Sequence, residues 1–200
     1  MAGVRVLSTA ARRRSWTFDP WQLVPTLLFA ALYYRRAWTL SREGRPVEGW
    51  RIGLFTAGIA VALIGFVSPI HEIGERQSQA VHMTQHLILG DIVPLLILFG
   101  LTRQLLRPIL ALPYIGELRV LAHPLVALPL WALNLFLWHL PDAYNTALAN
   151  DAVHALQHVS FLATGALMWA ARLRDLGSLA LEAARHVAEL GQRKLPGPAV

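Results

Sequence analysis

Residues 80–101 read AVHMTQHLILGDIVPLLILFGL, and Asp91 is the only formally charged side chain among them. An unbroken apolar run of about 20 residues matches the hydrocarbon thickness of a bilayer when it is helical. The run is continuous and does not alternate with period two, so it reads as a membrane helix rather than a barrel strand. Working outward, comparable runs lie at 20–40, 50–68, 120–140 and 152–171. The expectation is an all-α, polytopic membrane protein with about five transmembrane helices over residues 20–171. Composition agrees: of 200 residues, 55% are hydrophobic and 15% charged, against about 25% charged in soluble domains. Pro94, Pro124 and Pro129 fall within the later runs and predict kinks, because neighbouring helices re-satisfy the carbonyls that proline frees.

The net charge of +6 and the isoelectric point near 10.7 are features shared with nucleic-acid binders. In a polytopic chain, however, excess arginine reports loop orientation, so nucleic acid is discarded as a partner. Of the 18 Arg and Lys residues, 13 fall on one side of a five-span arrangement. The positive-inside rule then puts the C-terminus in the cytoplasm and the loops near Glu72 and Asp142 outside. Residues 1–19, with Arg12, Arg13 and Arg14, read as an uncleaved basic tail, since no convincing cleavage site follows them. Residues 172–200 form an amphipathic stretch, with Leu173, Leu176, Ala180, Ala183, Val187 and Leu190 on one face, expected to be a cytoplasmic interfacial helix. There is no cysteine, which excludes disulfides, thiolate metal sites and a cysteine nucleophile. No phosphate loop or H-E-x-x-H motif occurs, and the expectation is that the chain is not an enzyme.

Six of the eight histidines fall at the same side of these spans. His71 ends the second, His82 and His86 open the third, His139 closes the fourth, and His154 and His158 open the fifth. His82 with His86, and His154 with His158, are four residues apart, so each pair occupies one helix face about 6 Å apart. Ionisable groups inside a membrane read as functional by default, and two such faces meeting would assemble four imidazoles. Imidazole suits copper, zinc and iron, and a thioether from Met83 tilts the choice toward Cu(I). The candidate ligands are therefore His71, His82, Met83, His86, His139, His154 and His158. Glu72 and Glu75 are placed to ligate or to orient an imidazole, and Asp142 and Asp151 frame a loop without basic residues. Asp91, nine residues beyond His82, is expected to face away from the His82 and His86 stripe. His123 and His186 read as structural or solvated.

The chain resembles the CtaG family of bacterial assembly factors for caa-type cytochrome c oxidase. The resembling stretches are WTFDPW at 16–21, SPIHE at 68–72, AVHMTQHL at 80–87 and the His123–Pro124 pair. They continue with WHLP at 138–141, Tyr144, and HALQHVSF at 154–161 leading to Met168 and Trp169. The resemblance implies a multi-pass protein of the bacterial plasma membrane that matures the oxidase by supplying copper to its catalytic subunit. It also implies oxidase subunits and a periplasmic or extracellular copper donor as partners, with the lipid bilayer around them. Family members usually continue through further spans, whereas here the amphipathic stretch follows residue 171, which reads as a shortened or frameshifted chain. Two alternatives stay open at the level of sequence: a haem-binding electron-transfer protein and a metal transporter.

Overall fold

The computed structural model describes residues 20–67, 79–113 and 117–193, with no strand among them. In chain order the helices are α1 (Pro20–Arg42), α2 (Gly49–Val67), α3 (Gln79–Leu87), a π turn (Ile88–Ile92), α4 (Val93–Gly100), and α5 (Arg103–Leu110). A 3-10 turn (Glu117–Ala122), α6 (Pro124–Trp138), α7 (Pro141–Ala149) and α8 (Asp151–Arg193) follow. The all-α expectation therefore holds. By length and apolarity, α2 and the continuous stretch Ala80–Gly100 qualify to cross a membrane, and α6 with α7 makes a third if that pair, bent by 70°, is one broken span. In α1 the side chains of Arg35 and Arg36 lower the apolarity, and in α8 those of His154, Gln157 and His158 do.

Local chemistry sets most boundaries. Pro124 sits at the first turn of α6, where its missing N–H costs nothing, so it starts a helix instead of kinking one. The His123 ring accepts from Leu125 N at 3.3 Å as the cap of that helix, in keeping with its structural reading. Thr102 caps α5 by accepting from Leu105 N at 3.3 Å. Asn150 Oδ1 accepts from Ala152 N at 3.0 Å and Val153 N at 3.2 Å, which fixes the start of α8 one turn before His154. The amphipathic stretch expected as a separate helix continues α8 without a break, to 43 residues in all. It runs roughly six turns past Ala171, because no proline or cap interrupts a segment rich in Ala, Leu and Arg.

The π turn has a cause legible in its neighbour. Pro94 has no N–H to donate to the carbonyl four residues back, that of Gly90, and Val93 N bonds instead to Ile88 O, five residues back. One turn thus absorbs an extra residue. The Gly90 carbonyl lies against Gly165 of α8, so closely that a Cβ on Gly165 would overlap it. In lipid, helices associate by such small-residue contacts rather than by expelling water. Gly58 does the same on α2, where an added Cβ would meet Ile97 at 3.0 Å.

One end of the bundle is aromatic. Tyr33 stacks on Phe55 with ring centroids 3.5 Å apart and planes within 5°. Its hydroxyl donates to Gly100 O at 3.1 Å, and Arg51 Nη1 donates to Phe99 O at 3.1 Å. These two side chains take up terminal carbonyls of α4 that the helix itself leaves orphaned. Ala30, Ala37, Leu40, Ile59 and Leu105 complete this core. A second cluster, Ala62, Phe66, Leu89 and Val93, lies further along α2. Beyond it the packing turns polar.

Candidate metal centre

The polar end is built by α3 and α8, which run parallel. His82 stands beside His154, with ring centroids 6.2 Å apart, and His86 beside His158 at 5.6 Å. Further along the same pair of helices, Gly90 meets Gly165. Because the helices share a direction, their two i,i+4 pairs meet in register and all four imidazoles converge. Within each helix the rings are closer still, 4.1 Å for His82 with His86 and 4.4 Å for His154 with His158. All four are between 1% and 5% exposed.

His86, His154 and His158 each offer a ring nitrogen such that the three atoms lie within 4.8 Å of one another. His154 Nε2 and His158 Nε2 are 3.2 Å apart. No carboxylate joins this group among the described residues. Phe161 packs on His86 at 4.7 Å and Phe66 stacks with His158 at 5.5 Å, so the centre is walled by aromatic faces. Tyr144 of α7 meets His82 edge-on at 5.7 Å. Three converging neutral imidazoles form a donor set suited to copper, zinc or iron.

Two buried glutamines belong to this end and escaped the reading of the sequence. Gln85 is 3% and Gln157 1% exposed, and Gln85 Nε2 donates to Gly65 O at 3.0 Å, tying α3 to α2. The signal that finds them is a repeated spacing, H-x-x-Q-H at 82–86 and again at 154–158. At about 100° per residue all three polar positions of that pattern share one helix face.

The other expected ligands divide. His139 caps the end of α6, with Nδ1 2.6 Å from Leu135 O and Nε2 3.0 Å from Met83 Sδ. Its ring lies 6.1 Å from that of His86. Met83 and His139 thus pair with each other rather than join the three imidazoles. His71, Glu72 and Glu75 lie outside the described residues. Asp142 and Asp151 sit in the first turns of α7 and α8, where a carboxylate favours the positive end of the helix dipole.

Asp91 corrects an expectation. It does not face away from the histidines: a cavity of about 430 Å³ is lined by Asp91 together with Met83, His86, Gly90, Trp131 and His139. The half-turn offset assumed regular α-helix, and the π turn swings Asp91 back toward the side of His86.

Two further pairs hold α6 on α8 beside this cavity. Trp138 Nε1 donates to Ser160 Oγ at 2.7 Å, and Asn134 Nδ2 donates to Thr164 Oγ1 at 3.2 Å. The family model described as cytochrome c oxidase caa3 assembly factor matches residues 31–190. No curated protein and no solved structure matches the chain.

Proposed function

The chain belongs to the cytochrome c oxidase caa3 assembly factor family, and from that premise we propose that it binds Cu(I) at His86, His154 and His158 and delivers it to an oxidase subunit. The observation that carries this reading is the convergence of three imidazole nitrogens within 4.8 Å at the meeting of two parallel helices. The charge balance favours a monovalent ion. Desolvation cost rises with the square of the charge, and three neutral ligands in an aromatic pocket offset less of it for a dication than for Cu(I). A haem would need its axial imidazoles on opposite sides of a wide apolar slot, and rings paired at 5.6 Å and 6.2 Å across the two helices leave no such slot.

In this reading α1 and α8 also cross the bilayer, giving five crossings of alternating direction. The protein resides in the bacterial plasma membrane with its C-terminus in the cytoplasm. The histidine end then faces the outer side, where a periplasmic or extracellular donor loads it, and the protein's role is transfer rather than catalysis.

The test is complementation in cells that make a caa3 oxidase but lack this protein. The intact chain restores oxidase activity and its copper content, whereas a chain with His154→Ala and His158→Ala does not unless the medium is enriched in copper. Full restoration by that variant at ordinary copper would overturn the proposal.

A further inference from the structure

The three-imidazole centre does not use Met83 and His139, although they meet across α3 and α6 with Nε2 and Sδ 3.0 Å apart. His139 Nδ1 faces the Leu135 carbonyl at 2.6 Å, and a carbonyl only accepts, so Nδ1 carries the ring hydrogen. In the neutral ring Nε2 then presents a lone pair, and it presents it to Met83 Sδ at 3.0 Å. A thioether has no hydrogen to give. With the ring neutral, two lone-pair donors face each other at 3.0 Å, inside the ~3.5 Å at which even carbon atoms make optimal contact. A cation between them removes the conflict. With metal–nitrogen and metal–sulfur distances of about 2.0 and 2.3 Å, donors 3.0 Å apart subtend roughly a right angle at an ion, which leaves the rest of its coordination sphere open.

We propose that Met83 and His139 form a second Cu(I) position, softer and more open than the three-imidazole centre, from which the ion leaves the protein. The proposal rests on the copper reading above and deepens it. The two positions differ in the way that transfer requires. His86, His154 and His158 are 3%, 5% and 1% exposed, whereas Met83 and His139 are only half-buried. They line the cavity of about 430 Å³, whose wall includes Leu87 and Phe136, themselves 55% and 64% exposed. The cavity thus reaches the lateral surface of the helix bundle. His86 lines it too and stands between the positions, its ring 5.6 Å from that of His158 and 6.1 Å from that of His139. Transfer is a ligand exchange: bonds from copper to His154 and His158 are replaced by bonds to His139 Nε2 and Met83 Sδ, and the bond to His86, which stands between the positions, breaks last. Copper stays Cu(I) throughout. An ion held by two protein ligands keeps a position open for an incoming ligand of the recipient.

The experiment titrates the detergent-purified full chain anaerobically with Cu(I) alone, counts bound copper per chain, and reads its neighbours by X-ray absorption at the copper edge. The expected result is two Cu(I) per chain with a sulfur neighbour. Met83→Leu, nearly equal in volume, falls to one Cu(I) with nitrogen neighbours only. His154→Ala with His158→Ala also falls to one, and that one keeps its sulfur. One Cu(I) in both the unaltered chain and Met83→Leu, with no sulfur in either, would overturn the second position and leave the first standing. So would a sulfur neighbour that persists in Met83→Leu. Binding that ignores His154 and His158, or no copper in any chain, would overturn the copper reading itself.

Discussion

Phe55 at one end of the bundle and His82 at the other are buried alike, 0% and 1% exposed, yet their neighbourhoods are built to opposite ends. Around Phe55, Tyr33 and Arg51 serve the backbone by taking up the carbonyls of Gly100 and Phe99, and the buried cluster there is aromatic and aliphatic. Around His82 the buried side chains are themselves polar, and nitrogen meets nitrogen at 3.2 Å between His154 and His158. Burial alone therefore does not define a core. One end spends its buried volume on holding helices together, and the other concentrates donor atoms that a cation would organise.

That contrast is breakable by substitution. The largest expected effect on folding is at the aromatic end: Phe55→Ala removes the ring stacked on Tyr33 and should cost about 3–5 kcal/mol. Thermal unfolding in detergent would register this, while copper bound per folded chain stays unchanged. A loss of copper in proportion would mean that the two ends are not separable.

Gly165→Ala tests the joint between them. The added methyl overlaps the Gly90 carbonyl, so α8 must retreat from the π turn at a cost of about 1–3 kcal/mol. Because α8 carries His154 and His158, both stability and copper affinity should fall together. Unchanged affinity would show that the register of the two H-x-x-Q-H stretches does not depend on that contact.

The smallest effect is expected from Gln85→Leu, which removes the bond to the Gly65 carbonyl and should cost about 1 kcal/mol. Copper stoichiometry is expected to hold, since Gln85 ties helices and does not ligate. A drop in bound copper would promote Gln85 to the donor set.

The sequence carried the helical class, four of the five long segments to within a few residues at their starts, and the gathering of histidines at one end, because apolar length and i,i+4 spacing are local properties. Three features were not local. The π turn depends on Pro94 and packs on Gly165, which lies 75 positions after Gly90, so a regular-helix reading of the sequence puts Asp91 on the wrong face. The short helix Pro141–Ala149 hid in a stretch with too few apolar residues to stand out. The pairing of Met83 with His139 required knowing that α6 ends beside the start of α3. The buried glutamines were legible after all, in the repeated H-x-x-Q-H spacing, but only once both stretches are read as one face meeting its counterpart.

The central claim is that the parallel α3 and α8 present a Cu(I) centre made of imidazoles. The most direct test is to count Cu(I) retained by two purified chains, one carrying Met83→Leu and one carrying Met83→Leu, His154→Ala and His158→Ala. The account predicts one Cu(I) per chain in the first and none in the second, with both chains equally helical. Equal copper in the two, whether one or none, would contradict it.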